Sequence, residues 1–452
     1  MIVSFSVSNY RSFSSEESFS LVASQRLGTT HEEHSVPIPD SKEKVLRTAV
    51  LYGANGAGKS NLFKAVRYLR SVALETRDRN SVTGREAFRF GELSEEPSSF
   101  DLQFIADNKL YRFCMKVDDR RIVEESLAHV LGGREKTLYE RITDGGGKVT
   151  VDAPGLRSLE KLHALATVGG PQNQSFLATI GATLDTSDIG DELRGILDWF
   201  KRGLALVGPG QPLRGLGRRL TEDSELLEFA SEFLRSSSTG VDHLEIVQTE
   251  ISHDEVGRLI RSASNVLEDV SEYEDPVARF LLDDGNELLI DHGESFYQTK
   301  MQAAHKDQAD KMVPLDLTEE SDGTQRLLHL IPALHQLRTG SGVFLIDEID
   351  RSLHPMLVWK FLEFFLKSCP GDQRQIIVTT HESNLLDLDL LRRDEIWFAE
   401  KDQAGATRLY SMADFKVRKD HEIRKHYLQG RFGAVPFLGS LDRLLEEKGH
   451  AG

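Results

Sequence analysis

The stretch Gly53-Ala54-Asn55-Gly56-Ala57-Gly58-Lys59-Ser60 constrains this chain more than any other. An apolar run at 49–52 precedes it and the segment 61–69 follows it, so the order is strand, glycine-rich loop, helix. Glycines let backbone N–H groups curl around phosphate oxygens, and the helix N-terminus adds a positive dipole end. We expect a P-loop in which Lys59 reaches the β- and γ-phosphates and Ser60 ligates Mg²⁺. The predicted nucleotide-binding residues are Gly53, Ala54, Asn55, Gly56, Ala57, Gly58, Lys59, Ser60 and Asn61.

An acidic pair, Asp347 and Glu348, ends a second apolar run at 343–346. Buried parallel strands are continuous apolar runs, and ligands bind at their carboxyl ends. Asp347 is therefore predicted to hold Mg²⁺, and Glu348 to orient and polarise the attacking water. A third apolar run, 375–380, ends at His381, which can donate a hydrogen bond to the γ-phosphate or to that water. The predicted catalytic residues are Lys59, Glu348 and His381.

Two further segments surround the acidic strand. Ser321-Asp322-Gly323 begins a helical pattern, where Ser321 or Asp322 caps the helix and the turn can also bind an anion. The turn at 349–355 contains Ser352 and His354. His354 is either a helix-start residue or a functional one, and the sequence leaves both open.

Charge and cysteine content limit the environment. The net charge of −17 argues against a surface that coats nucleic acid. No run approaches the roughly 18 apolar residues of a membrane span. The alternating start, 1–7, predicts a strand and not a signal peptide. Cys114 and Cys369 lack metal spacing and are expected to be buried thiols. We therefore expect a cytoplasmic protein with no membrane contact.

The pattern of apolar residues predicts an α/β fold in three parts. Residues 1–151 contain the P-loop and several strands, including a hairpin over 100–115. Residues 152–277 are mainly helical, and residues 278–452 alternate strands and helices. The long stretch between Lys59 and Asp347 then leaves room for a β-rich lobe and a helical insertion between the two halves of one nucleotide-binding domain.

Taken together, these motifs resemble the ABC-class ATPase head, a group that includes RecF, SMC proteins and the OLD nucleases. More narrowly, the chain resembles the bacterial AAA-domain ATP/GTP-binding protein family found in abortive-infection and other anti-phage systems. Three stretches support the narrower resemblance: 9–13, with the sequence NYRSF; 348–355, with EIDRSLHP; and 428–437, with LQGRFGAVPF.

The resemblance implies an ABC-type P-loop ATPase head, with a mixed sheet flanked by helices, a β-rich lobe and a mainly helical insertion. It implies a head-to-head dimer, or a larger assembly, that encloses two ATP molecules with Mg²⁺. Lys59, Ser60, Asp347, Glu348 and His381 would act within one head. Ser321 and Gly323 of the partner head would cap the γ-phosphate in trans, and Ser352 would lie in the interface. Arg11 would contact the nucleotide or the interface.

The chain departs from the resembling group in its signature segment. Asp322 stands where the group has its first signature glycine, and Thr324 follows the second. An acid beside a triphosphate is unfavourable unless it turns away, which weakens the expectation of tight closure and argues against a transporter subunit. The Q-loop is left open between Gln103 and the segment 88–92.

Three functions remain as hypotheses. The first is a defence ATPase whose nucleotide-driven assembly controls a separately encoded effector, expected to be a nuclease. The second is a RecF- or SMC-like ATPase that clamps DNA, which the acidic charge disfavours. The third is a nucleotide-gated scaffold with little turnover. A nuclease within this chain is not expected, because no HNH-like cluster is present and little sequence follows His381.

Overall fold

A computed structural model of the protein describes most of the chain. The described residues are 1–28, 30–91, 95–157, 159–210, 216–252, 255–256, 265–266, 278–281, 287–290, 296–371, 373–415 and 423–434. Among these residues, no helix has both the length and the apolar character needed to cross a bilayer.

The chain forms two compact units, each assembled from separate stretches of sequence. The first unit contains Met1–Gly208, Ser341–Ile349 and Pro370–Gly452, and the second contains Pro209–Gly340 and Asp350–Cys369. These limits differ from the predicted boundaries after 151 and 277. In particular, residues 152–208 belong to the first unit, together with the P-loop.

Strands and helices alternate along the described chain. The strands of the first unit are β1 Ile2–Ser8, β2 Glu17–Ser20, β3 Ser35–Pro37, β4 Lys44–Leu46, β5 Thr48–Tyr52, β6 Ser98–Ala106, β7 Lys109–Val117, β8 Ile122–Leu131, β9 Arg134–Thr143, β10 Val149–Asp152, β11 Leu204–Val207, β18 Gly342–Ile346, β19 Arg374–Thr380, β20 Ile396–Lys401 and β21 Thr407–Ser411. Its helices are α1 Lys59–Leu74, α2 Glu160–Val168, α3 Phe176–Thr183, α4 Gly190–Asp198 and α9 Ile423–Leu428.

The second unit has its own sheet and four helices among the described residues. Its strands are β12 Val241–Ile251, β13 Asn265–Val266, β14 Ala278–Leu281, β15 Glu287–Ile290, β16 Phe296–Lys306 and β17 Met312–Asp316. Its helices are α5 Leu216–Glu222, α6 Ser224–Ser236, α7 Asp322–Thr339 and α8 Pro355–Ser368. Strand order is β12-β16-β15-β14-β13, with β17 paired to β16.

The P-loop follows β5 of a six-stranded sheet with the order β11-β18-β19-β5-β20-β21. The first five strands are parallel, and β21 is antiparallel to β20. Every residue of β5 and β18 is buried, as expected for strands covered on both faces. The carboxyl ends of β5, β18 and β19 therefore lie along one edge of this sheet.

The β-rich lobe is a seven-stranded antiparallel sheet with the order β10-β9-β8-β7-β6-β1-β2. Its strands alternate: in β7, for example, Tyr111, Phe113 and Met115 are buried, whereas Arg112 and Cys114 are half-buried. The hairpin predicted over 100–115 is present as β6 and β7. The sheet therefore turns one apolar face to the core, as period-two alternation requires.

A buried carboxylate joins this lobe to α3. Glu125 of β8 accepts the hydroxyl hydrogen of Tyr139 at 2.6 Å and the backbone N–H groups of Phe176 and Leu177 at 2.8 and 3.2 Å. Arg141 lies beside it, with Nε 3.9 Å from the carboxylate, and both side chains are fully buried. Burial raises the pKa of Glu125 and lowers that of Arg141. Because Glu125 binds the N-terminus of α3, residues after 151 fold with the first unit.

The expected α/β class with a P-loop, a β-rich lobe and added helices is confirmed. Within 152–277 the described residues contain helices α2–α6, but also three strands that the sequence did not predict, β11, β12 and the two-residue β13. The strand β11 extends the nucleotide sheet beside β18, and the eleven-residue β12 pairs with β16. Residues 257–264 and 267–277 of this predicted insertion lie outside the described residues, as do 435–437 of the C-terminal motif.

Candidate functional site

The P-loop has the backbone that its glycines predict. Gly56 and Gly58 have φ angles of 79° and 109°, in the left-handed region that L side chains rarely adopt. The helix α1 begins immediately afterwards, at Lys59. The buried Lys59 ammonium donates to the carbonyls of Gly53 at 2.6 Å and Ala54 at 3.2 Å. The Lys59 side chain thus lies across the loop in which the phosphates are predicted to bind.

Two segments that are distant in sequence, at Ser12 and Thr407, support the P-loop through hydrogen bonds. The Thr407 hydroxyl lies 2.8 Å from the Ala57 carbonyl and 2.7 Å from Ser12 Oγ. Asn61 Nδ2 donates to the same Ser12 oxygen at 2.8 Å. A side chain at Gly58 would collide with Thr407 and would lie 2.9 Å from Ser12 Oγ. Ser12 and Thr407 therefore restrict the position of the P-loop.

The acidic strand end is bonded directly to the P-loop helix. Ser60 Oγ donates to Asp347 Oδ1 at 3.2 Å, so the two predicted Mg²⁺ ligands are already neighbours. Thr379 of β19 donates to the same Asp347 oxygen at 2.6 Å, and its hydroxyl accepts the Glu348 N–H at 2.8 Å. Asp347 is only 2% exposed, so its buried oxygens need hydrogen-bond donors such as these.

Glu348 lies at a sharp turn just past β18. Its φ is 49°, and the next residue, Ile349, donates its N–H to the Thr379 carbonyl at 3.1 Å. A non-glycine residue in this conformation is uncommon and is often associated with functional sites. The turn holds Glu348 at the same sheet edge as the P-loop, partly accessible to solvent.

His381 follows the last residue of β19, the strand that pairs directly with β5. Thr380 lies opposite Tyr52 in this pairing, so His381 and Gly53 leave neighbouring strand ends in the same direction. His381 is exposed. Its contact to a terminal phosphate or to the attacking water stays a prediction.

Arg11 lies in the N-terminal motif, next to Ser12. Its guanidinium pairs with Glu86, and its backbone N–H donates to the Glu86 carbonyl at 2.7 Å. The Arg11 Nε is buried and has no hydrogen-bond partner among the described residues. Arg11 thus belongs to the segment that supports the P-loop, and its guanidinium is paired with the Glu86 carboxylate in this structure.

The predicted signature residues lie in the second unit and contact each other. Ser321 is the N-cap of α7, and its Oγ accepts the Thr324 N–H at 3.2 Å, which decides between Ser321 and Asp322 as the cap. A Cβ at Gly323 would lie 2.8 Å from the Ser352 carbonyl oxygen. Ser352 itself has a φ of 60° and is exposed. The signature turn and the Ser352 turn therefore form one surface.

His354 has a local role at the start of α8. Its Nδ1 accepts the N–H of Met356 at 3.2 Å, as an N-cap side chain does. Of the two interpretations left open by the sequence, the helix-start role is the one with a contact in the structure.

The structure brings together Ser60, Asp347 and Glu348 of the predicted site, with Lys59 and His381 at the same sheet edge. It adds two residues that sequence reasoning missed, Thr379 and Thr407. Thr379 had a weak signal, because a polar residue near the end of an apolar strand is uncommon. Thr407 had none, since its partner Ser12 is 395 residues away in sequence.

Comparison with known families gives one match over most of the chain. The profile of a family described as "AAA domain, putative AbiEii toxin, Type IV TA system" matches residues 49–387. This range includes the P-loop, the signature turn, the acidic strand and His381. No protein with a curated description matches the chain significantly.

SMC heads are among the solved structures that a structure comparison matches to this chain. An SMC head bound to the C-winged helix domain of ScpA is 13% identical, with a TM-score of 0.43 and coverage of 91% of this chain and 97% of that chain. The SMC head domain from Thermotoga maritima is 13% identical, with a TM-score of 0.38 and coverage of 91% and 98%. An SMC head with an extended coiled coil, bound to a ScpA C-terminal domain derived from Pyrococcus furiosus, is 12% identical, with a TM-score of 0.39 and coverage of 91% and 96%.

Proposed function

This chain belongs to the AAA-domain family whose description names a putative AbiEii toxin of a type IV toxin–antitoxin system, and we propose that it is an ATP-hydrolysing switch. In this proposal ATP with Mg²⁺ draws two copies together, and hydrolysis separates them. The assembly controls a separately encoded effector protein, a nuclease in our hypothesis, during anti-phage defence in the cytoplasm.

The hydrogen-bonded group of Ser60, Asp347, Thr379 and Glu348 is the main support for hydrolysis. A Mg²⁺ site next to a P-loop needs a hydroxyl and a carboxylate in reach of one ion, and Ser60 and Asp347 lie 3.2 Å apart. Mg²⁺ bound there would neutralise charge on the β- and γ-phosphates. The Lys59 ammonium would exchange its hydrogen bonds to the carbonyls of Gly53 and Ala54 for hydrogen bonds to the phosphates. The bonds to phosphate are stronger, because both partners are charged.

Glu348 and His381 have the roles of proton acceptor and hydrogen-bond donor in this proposal. The Glu348 backbone is fixed through Thr379, so its carboxylate can accept a proton from a water near the γ-phosphate. His381 would donate to the γ-phosphate or to the same water. Neither residue is needed to bind ATP, which makes binding and turnover separable by mutation.

The second copy supplies the cap on the γ-phosphate. The first turn of α7 offers free N–H groups and a positive dipole end, and Ser321 adds a hydroxyl. Asp322 begins the same helix and is exposed, so its charge can remain in solvent. Since a Cβ at Gly323 would lie 2.8 Å from the Ser352 carbonyl oxygen, Ser352 would enter the interface together with the signature turn.

Control of a protein effector is favoured over DNA clamping by charge and by the family's description. The net charge is −17, whereas a DNA-clamping surface gains its affinity from clustered lysine and arginine. A toxin–antitoxin description is consistent with a paired, separately encoded protein, although it is a description of the family. A scaffold with negligible turnover remains the alternative if Glu348 proves inactive.

The decisive experiment compares the wild-type chain with Glu348→Gln and Lys59→Ala. Glu348→Gln should bind ATP, lose at least about 100-fold in turnover, and remain associated with a second copy and with its effector. Lys59→Ala should bind no ATP and stay dissociated. The measurements are phosphate release, light scattering with and without ATP, and mass spectrometry of co-purified proteins. Glu75→Gln, an exposed change at the end of α1, is the matched control.

Four results would each contradict a separate part of the proposal. Full turnover by Glu348→Gln would remove it as the proton acceptor, and near-zero turnover of the wild type would favour the scaffold. An ATP-independent oligomeric state would remove the switch. Tight, ATP-dependent binding of duplex DNA at physiological salt, without any associated protein, would favour the DNA-clamping alternative instead.

A further inference from the structure

A group of side chains suited to metal binding lies at the amino-terminal end of the P-loop strand. His31, Glu33 and His34 occupy one tight turn that ends at the 3₁₀ segment Glu32–His34, and their ligand atoms lie within 4.8 Å of one another. The Glu33 carboxylate is 3.6 Å from His31 Nδ1 and 3.6 Å from His34 Nε2. Two donors bound to one ion at about 2.0–2.1 Å would be separated by a similar distance.

Both imidazoles are held from behind by acceptors. His34 Nδ1 lies 3.0 and 3.1 Å from the two oxygens of the buried Glu395 carboxylate. His31 Nε2 lies 3.0 Å from the Leu388 carbonyl. An imidazole that donates from one nitrogen has a lone pair on the other. Therefore His34 Nε2 and His31 Nδ1, which are the nitrogens near Glu33, are the ones free to ligate.

We propose that His31, Glu33 and His34 bind a divalent transition metal ion of the zinc class. The donor set of two imidazoles and one carboxylate suits Zn²⁺ or Co²⁺, whereas Mg²⁺ prefers oxygen ligands alone. Glu395 and the Leu388 carbonyl are the outer partners that orient metal-bound histidines in such sites. Glu33 is exposed and His31 partly so, which leaves the remaining coordination positions to water.

The site lies at the start of two central strands. Arg47, the residue before β5, donates its backbone N–H to the His34 carbonyl at 2.8 Å and its Nη1 to the Glu33 carbonyl at 3.1 Å. Glu395 directly precedes β20, which pairs with β5. A metal ion here would tie the amino ends of both strands, opposite the edge that holds Asp347 and the P-loop. Its role is therefore to fix the P-loop strand, not to take part in hydrolysis.

The test is metal binding to the tag-free full chain stripped of metal. The wild type should bind one equivalent of ZnCl₂ by equilibrium dialysis with elemental analysis, and excess MgCl₂ should not displace it. CoCl₂ should give the visible absorption of a low-coordinate, imidazole-ligated ion. Zinc should also raise the thermal unfolding midpoint, because a ligand that binds only the folded state stabilises it.

Variants on the same turn separate this site from non-specific binding. Glu33→Gln keeps the volume of an exposed side chain, so it should fold normally yet bind zinc at least about tenfold more weakly. His31→Gln should do the same. Glu32→Gln, an exposed neighbour on the turn, and His163→Gln, an exposed histidine on α2, should bind as the wild type does. Equal zinc binding by Glu33→Gln and the wild type, or no stoichiometric binding by the wild type, would overturn the proposal.

Discussion

The Thr379 hydroxyl donates to Asp347 Oδ1 at 2.6 Å and accepts the backbone N–H of Glu348 at 2.8 Å. One side chain on β19 therefore fixes both acids of the neighbouring strand end. Because Asp347 is almost fully buried, losing this donor would destabilise the folded site by about 1.5–3 kcal/mol of free energy.

Thr379→Val, which keeps the shape but removes the hydroxyl, should lower kcat by about tenfold or more. It should also raise the Mg²⁺ concentration needed for half-maximal activity, because Asp347 loses its orientation. Thr379→Ser retains the hydroxyl and should recover most of the activity. Steady-state phosphate release across a Mg²⁺ titration measures both effects, and an unchanged Mg²⁺ dependence in Thr379→Val would contradict this role.

Gly58→Ala should abolish ATP binding, whereas Gly56→Ala should only weaken it. Both positions have positive φ angles, so both alanines pay a conformational cost of about 1–2 kcal/mol. At Gly58 the new methyl group would also strike Thr407 and Ser12, while nothing lies within 4 Å of a methyl group at Gly56. Binding of a fluorescent ATP analogue distinguishes the two variants. Equal losses of affinity would show that backbone strain, and not the clash with Thr407 and Ser12, causes the effect.

Stability should fall with acidification because of His329 on α7. Burial, helped by the positive charge of Arg326, lowers the pKa of His329 to about 4 from its ordinary 6.5. Below pH 6.5 the unfolded chain takes up a proton that the folded chain refuses. The stabilisation is therefore complete above pH 6.5 and is lost as pH falls towards 4.

His329→Gln should flatten this dependence. Between pH 7.5 and pH 5, the wild type should lose about 2 kcal/mol more of its free energy of unfolding than His329→Gln does. Urea unfolding at the two pH values gives the difference. His163→Gln changes an exposed histidine and serves as the control, so its free energy of unfolding should depend on pH as that of the wild type does. If His329→Gln also kept the wild-type pH dependence, the burial of His329 would not be its cause.

Arg141→Met should destabilise the first unit by about 3–5 kcal/mol. Its guanidinium donates to the carbonyls of Ile122, Pro171 and Gln172 at 2.6, 3.0 and 3.1 Å, and it is the cation beside buried Glu125. Adding Glu125→Gln to Arg141→Met should restore part of the loss, since the unpaired charge disappears. Chemical denaturation of the two single variants and the double variant would reveal this coupling, and strict additivity would argue against it.

The sequence predicted the nucleotide sheet well where strands were continuous and apolar. The segments 49–52, 343–346 and 375–380 have this character, so their strands and the polar residues at their ends were accessible to local reasoning. By contrast, β11 has only four residues and directly follows the helical turn Trp199–Gly203, so no pattern separates it from its surroundings.

Long-range polar contacts were beyond prediction. Nothing local in Thr407 indicates that it supports the P-loop, because that role depends on which strand pairs with β20. The extent of the first unit depends in the same way on the bonds from Glu125 to α3. The turn at 31–34 carries two histidines and two glutamates within four residues, a local pattern that favours a metal site.

The strand order of the nucleotide sheet also has a consequence during synthesis on the ribosome. The P-loop strand β5 is among the first elements translated, yet both of its hydrogen-bonded neighbours, β19 and β20, begin after residue 373. Such distant pairing makes folding slow and leaves the apolar strand exposed until its neighbours emerge. The nascent chain should thus be unable to retain ATP until most of it has been made, and chaperones that shield apolar strands should influence its yield more than its final activity.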